Sequence, residues 1–203
     1  MRGARGIRGA ARAALGLLAL AGLPALSPAE AGAQSAATQH TPADVKFMQG
    51  MIQHHAQAVQ MVALVPQRTQ RQDLKLLAMR IDVSQTDEME MMRLWLRDRG
   101  EAVPDTGAHA GHGAHGGHGL MPGMLSPEEM EALARATGAE FDRLFLEGMI
   151  KHHEGALAMV EELFATPGAG QETAIFSFAS DVDADQRAEI DRMRKLLATL
   201  WAR

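Results

Sequence analysis

The stretch Phe47-Met-Gln-Gly-Met-Ile-Gln-His-His-Ala-Gln-Ala-Val-Gln-Met-Val62 decides the fold, because the chain says it twice. It returns 98 residues later as Phe145-Leu-Glu-Gly-Met-Ile-Lys-His-His-Glu-Gly-Ala-Leu-Ala-Met-Val160. Nine of the 16 positions are identical, among them Phe, Gly-Met-Ile, His-His and Met-Val, so the two copies serve one geometry. An acid stands three residues before each Phe, Asp44 and Asp142, giving a shared DxxFxxGMIxHH pattern. Apolar residues recur at helical spacing through both copies.

Working outward, each copy heads a helical hairpin. Thr41-Pro42-Ala43-Asp44 has a capping Thr, a Pro at the first helical position and an acid in the first turn. Pro66 is predicted to stop that helix. Thr69-x-x-Gln72 is predicted to cap a second helix reaching about Arg99, with Gly100 as its left-handed terminator. Ser126-Pro127-Glu128-Glu129 opens a short helix over 127–137, and Thr137-x-x-Glu140 is predicted to cap the next long one. The turn Thr166-Pro167-Gly168-Ala169-Gly170 separates it from a last helix reaching Leu200.

The second helices match as well. Ile81-x-x-x-Gln85-x-x-Glu88-Met89-x-x-Met92 aligns with Val182-x-x-x-Gln186-x-x-Glu189-Ile190-x-x-Met193. The expectation is one all-α domain over 42–203, made of hairpins 42–100 and 139–201. A His- and Gly-rich crossover over 101–125 joins them. Two amphipathic hairpins bury their stripes most simply as a four-helix bundle.

Residues 1–33 read as an export signal rather than fold. Arg2, Arg5, Arg8 and Arg12 precede an apolar run from Ala13 to Leu23, and Ala31-Gly32-Ala33 offers a cleavage pattern. The run is short of the roughly 20 residues a membrane span needs. An uncleaved anchor is the alternative, and 34–41 is expected to be a disordered leader. The location implied is periplasmic or secreted, with no stable span after cleavage.

Of 20 Lys and Arg and 25 Asp and Glu, that segment holds four Arg and one Glu, leaving a mature chain at about −8. So acidic a chain lacks the basic stripe that nucleic acid asks for. There is no Cys, which excludes disulfides and thiolate metal sites. Any metal must be held by His, Met, carboxylate or water.

Fourteen Met residues accompany the paired His. At 100° per residue, Asp44 and His55 lie within about 20° of each other round the helix, so Asp44, Met48, Met51 and His55 lie along one face. His54 lies round the helix, on the stripe Met51, His54, Ala58, Met61; its counterpart is Met149, His152, Ala156, Met159. Imidazole beside thioether suits Cu(I) or Ag(I). His55 and His153 sit among apolar residues, where a buried imidazole bonded to a carboxylate or Gln is the competing reading.

In the crossover His109, His112, His115 and His118 fall every third residue, and Met121 and Met124 continue that period. Such imidazoles favour Cu(II) over Zn(II) and Ni(II); adventitious binding by a low-complexity spacer is the alternative. Gln85, Glu88, Gln186 and Glu189, with Asp44 and Asp142, are candidates to orient the imidazoles. They serve equally as inter-helix hydrogen-bonding or solvated groups.

The doubled GMIxHH with its Gln-x-x-Glu follow-up resembles the domain-of-unknown-function 305 family over about residues 42–200. That resemblance implies an exported protein of ferritin-like four-helix architecture, with copper binding and copper tolerance in characterised relatives. The reading is a copper- or silver-binding protein, not an enzyme, that sequesters or carries the ion; its protein partner is not legible. A pH-responsive interaction module is the second reading. A di-iron oxidase is the third, and it lacks the Glu-x-x-His pairs such centres use.

Overall fold

The computed structural model describes residues 40–106 and 120–200. Residues 1–33, expected to be an export signal, and His109, His112, His115 and His118 lie outside the described residues. Among these, five helices and no strand occur: α1 Pro42–Arg68, α2 Gln72–Asp98, α3 Pro127–Arg135, α4 Gly138–Ala165 and α5 Thr173–Leu200. α1 folds back on α2, α4 on α5, and the hairpins meet where α1 packs against α4.

Helix ends follow the local chemistry with three departures. Thr41 and Ser126 each form a complete capping box, with Asp44 and Glu129 as reciprocal partners, worth about 1 kcal/mol apiece. α1, however, runs through Pro66 to Arg68, because the ring removes one hydrogen bond only two residues before the helix ends anyway. Thr69 caps the end of α1 rather than the start of α2; its hydroxyl accepts from the Arg71 amide and α2 begins without a side-chain cap. Thr137 precedes α4 but makes no cap hydrogen bond.

Each long helix buries apolar residues towards both ends and polar ones at its middle. One core cluster joins Ala58–Val65 of α1 with Leu74–Ile81, Phe141–Met149 and Ile190 and Met193. The other joins Phe47–Ile52 with Met89–Leu96, Ala156–Leu163 and Ile175–Val182. His54, His55, Gln85, His152, His153, Gln186 and Glu189, all buried, lie between the two on the four helices. A polar layer therefore crosses the bundle at mid-height.

Glycines set how closely α1 and α4 approach. A Cβ on Gly50 would lie 3.4 Å from Met159 Cε, and one on Gly148 would lie 3.4 Å from Met61 Cε. The Gly of each GMIxHH copy thus seats the Met of the other copy. At the end of the bundle, Asp44 Oδ1 accepts from the Gly170 amide at 2.7 Å, tying the start of α1 to the α4–α5 turn.

The C-terminal end of the crossover is packed, not a free linker. Gln57 donates to Leu125 O at 2.9 Å and accepts from Leu125 N at 2.8 Å. Leu125 is buried against Gly148. Gly123, at φ +75°, turns the chain directly over Gly155; a Cβ at Gly155 would stand 2.0 Å from Pro122 O. Gln57 and Gly155 occupy the same position in the two copies. Where the repeats differ, one grips the crossover and the other makes room for it.

His40, placed by sequence in a disordered leader, is also anchored: it hydrogen-bonds Glu101 at 2.9 Å and meets Trp95 edge-on at 5.3 Å. Because the Gly155 contact is backbone on backbone, Gly155→Ala is expected to lift residues 121–125 from α4. Urea unfolding should show a loss of about 1–3 kcal/mol, and limited proteolysis should cut near Gly123.

Candidate metal centre

Four imidazoles, fully excluded from solvent, form the centre of the polar layer. The tandem pairs divide their work. His54 and His152 lie on the α1–α4 seam, ring centroids 3.8 Å apart and planes inclined by 38°. His55 and His153 point back into their own hairpins, His55 Nε2 lying 2.6 Å from Glu88 Oε2 and His153 Nε2 2.7 Å from Glu189 Oε2. Ser84 steadies the first carboxylate by donating to Glu88 Oε1 at 3.0 Å.

The hydrogen bonds fix the tautomers. His54 Nε2 faces Pro122 O at 2.9 Å, and His152 Nε2 faces His54 O at 3.0 Å. A carbonyl oxygen only accepts, so Nε2 carries the proton in both rings. The carboxylates of Glu88 and Glu189 impose the same choice on His55 and His153. All four Nδ1 atoms are buried without a hydrogen-bond partner among the described residues; in the neutral ring, Nδ1 is then the atom that carries the lone pair. Orphaned buried acceptors are costly, and an imidazole whose opposite nitrogen is held by an oxygen acceptor is the usual form of a metal-ligating His.

Burial decides the protonation of the seam pair. His54 is lowered from 6.5 to about 3, first by desolvation and then by the neighbouring His55, with the Pro122 carbonyl acting in the opposite sense. His152 is also held well below its ordinary value, by desolvation and then by His54. Both rings therefore stay neutral and able to donate a lone pair in mildly acid solution.

The methionines divide. Met51, Met61 and Met149 are fully buried, Met51 in one apolar cluster and Met61 and Met149 in the other. Met159 and Met121 are partly exposed and meet over Gly50, where a Cβ would lie 3.4 Å from Met159 Cε and 3.6 Å from Met121 Sδ. They line a groove of about 690 Å³ with Gln49, Gln53 and Pro122. The crossover leaves and re-enters along this groove, at Ala102–Pro104 and at Met121. Met124 is half-buried in the same turn, its amide donating to Met121 O.

Among the residues expected to orient imidazoles, Glu88 and Glu189 reach a ring. Gln85 and Gln186 do not: both Gln85 side-chain polar atoms and Gln186 Oε1 are buried without partners among the described residues. Asp44 is spent on Thr41 and Gly170, and Asp142 Oδ1 is unpartnered. No group of three or more His, Asp or Glu converges as a metal site among the described residues. Sequence reasoning missed Pro122, whose carbonyl sets the His54 tautomer; it is a backbone atom 68 residues away.

Because His54 and His152 are neutral when folded and bind protons below 6.5 when unfolded, they favour the folded state less as pH falls. Each contributes a loss of about 1.4 kcal/mol per pH unit below about pH 5.5. Urea unfolding from pH 7 to 4 should show this slope in the apo protein. The H54Q/H152Q variant should show a shallower one.

No curated protein matches the chain. It resembles a DUF305 fragment from Deinococcus radiodurans at 33% identity and TM-score 0.63, over 79% of this chain and 98% of that one. A DUF305 protein from Streptomyces coelicolor matches at 28% identity and TM-score 0.64, over 81% and 95%. CopM in its Cu(II)-bound form matches at 30% identity and TM-score 0.63, over 78% and 97%. CopM in Cu(I)-bound and Ag-bound forms matches as well. The profile titled Domain of unknown function (DUF305) covers residues 44–197. With the fold, the doubled motif and that coverage in agreement, this chain is a member of the DUF305 family.

Proposed function

We propose that the protein is an exported, non-enzymatic binder of soft metal, copper or silver, that sequesters or carries the ion. The observation that carries this is the set of four solvent-excluded, unpartnered Nδ1 atoms, each on a ring held from behind by an oxygen acceptor. The donor set fits the cargo: neutral imidazole with thioether and no cysteine prefers Cu(I) and Ag(I) over hard cations. His54, His55, His152 and His153 would supply nitrogen, and Met51, Met61, Met149 and Met159 sulfur. His109, His112, His115, His118, Met121 and Met124 would capture ion from solution. The copper- and silver-bound forms of CopM support the same reading, at about 30% identity or a little below.

Export is supported by the Arg-flanked apolar run of residues 13–23 and the small-residue pattern ending at Ala33. No helix among the described residues is long and apolar enough to cross a membrane. Near pH 6 the folded-state rings of His54 and His152 are neutral, the form that donates a lone pair to a metal.

Competition of the apo protein against a chromophoric Cu(I) chelator tests the proposal. Submicromolar binding is expected, with stoichiometry that falls when the four crossover His are replaced by Ala. H54A/H152A should abolish the remaining component. Association only at millimolar copper would overturn the reading. Glu189→Gln, which leaves packing intact but removes the charged acceptor behind His153, is expected to weaken Cu(I) binding about 10-fold or more, with helicity by circular dichroism unchanged.

A further inference from the structure

Five of the eight large apolar side chains exposed among the described residues belong to α2: Leu76, Met79, Val83, Met91 and Leu94, each 45–57% exposed. Leu76, Val83 and Leu94 follow one line along the helix. Positions 73, 76, 80, 83, 87, 90, 94 and 97 alternate by three and four, the seam of a two-helix coiled coil over about 36 Å. Met79 and Met91 flank it. The fold itself does not require this stripe. In the repeat-equivalent helix α5 the corresponding residues are Ser177, Ser180, Ala184, Arg192 and Lys195.

The charges on the seam identify the occupant. We propose that α2 pairs antiparallel with α2 of a second copy of this chain, about a twofold axis passing near Gln85. In that register Leu76 meets Leu94 of the other copy and Met79 meets Met91. Arg80 faces Glu90, and Asp73 faces Arg97. Every charged residue of the seam except Asp87, which faces Val83, meets its opposite. The contact is isologous, so each favourable pair occurs twice. Arg80 makes no ion pair within the described residues of its own chain; Glu90 pairs with Arg97 at 3.2 Å and Asp73 with Arg71, exposed contacts that the pairs across the twofold would replace. A parallel pairing would set like charges against each other at every charged position and is disfavoured by the same seam.

The chain has no cysteine, so single introduced thiols report the register directly. In sedimentation velocity the full chain is expected to associate to a dimer as concentration rises to about 200 μM, within the range of a modest interface. Mixed L76C and L94C chains treated with a short bis-maleimide should cross-link, and neither variant should link to itself. Arg80→Glu should raise the dimer dissociation constant about tenfold or more, and R80E/E90R should restore it. The proposal falls if the chain stays monomeric throughout, if L76C links to itself, or if R80E leaves cross-linking unchanged. It falls equally if the L76C thiol is shielded from maleimide in the monomer, which would assign the stripe to a segment of the same chain.

Discussion

The structure turns on four N–H···O bonds in the dry middle of a helical bundle. Each His of the two tandem pairs gives its Nε2 proton to an oxygen: Glu88, Glu189, the Pro122 carbonyl or the His54 carbonyl. Four imidazoles in a protein core would ordinarily destabilise it, since their polar atoms lose water. Satisfying one nitrogen of each ring limits that cost and fixes every ring in one orientation. What remains unsatisfied is the same atom four times, Nδ1. The polar layer is thus costly as an apo core, with its unsatisfied atoms all of one kind.

The two His of a pair answer to different parts of the fold. His55 and His153 are positioned within their own hairpins, by a carboxylate one helix away. Each half of the repeat can make that bond alone. His54 and His152 depend on the hairpins coming together, because their centroids lie 3.8 Å apart only where α1 meets α4. The approach is permitted by Gly50 and Gly148, which accept the methionine of the opposite copy. Loss of hairpin docking would dismantle the seam pair while leaving the carboxylate pairs intact.

Symmetry is broken by the crossover, and the break has a location. Residues 121–125 lie along one side of the seam, held by Gln57 and admitted by Gly155. The same turn donates the carbonyl that orients His54 and places Met121 beside Met159. The crossover is therefore part of the seam's wall.

The sequence by itself determined the helical class, the two hairpins and the repetition of the His-His and Gln-x-x-Glu motifs in both. Hydrophobic period and capping chemistry are local, and a repeat doubles their signal. It also determined that Thr41 and Ser126 begin helices, since a capping box closes within four residues. It overstated Pro66 as a stop and assigned Thr69 and Thr137 caps that do not form, because the last turn of a helix tolerates a proline and a cap depends on side-chain rotamer. Only the tertiary structure decided that Glu88 and Glu189, not Gln85, Gln186, Asp44 or Asp142, reach the rings. It alone decided which imidazoles face each other, and that a backbone carbonyl sets the tautomer of His54. Those outcomes depend on helix rotation and on contacts some 70 to 100 residues apart in the chain, for which spacing along the sequence carries no code.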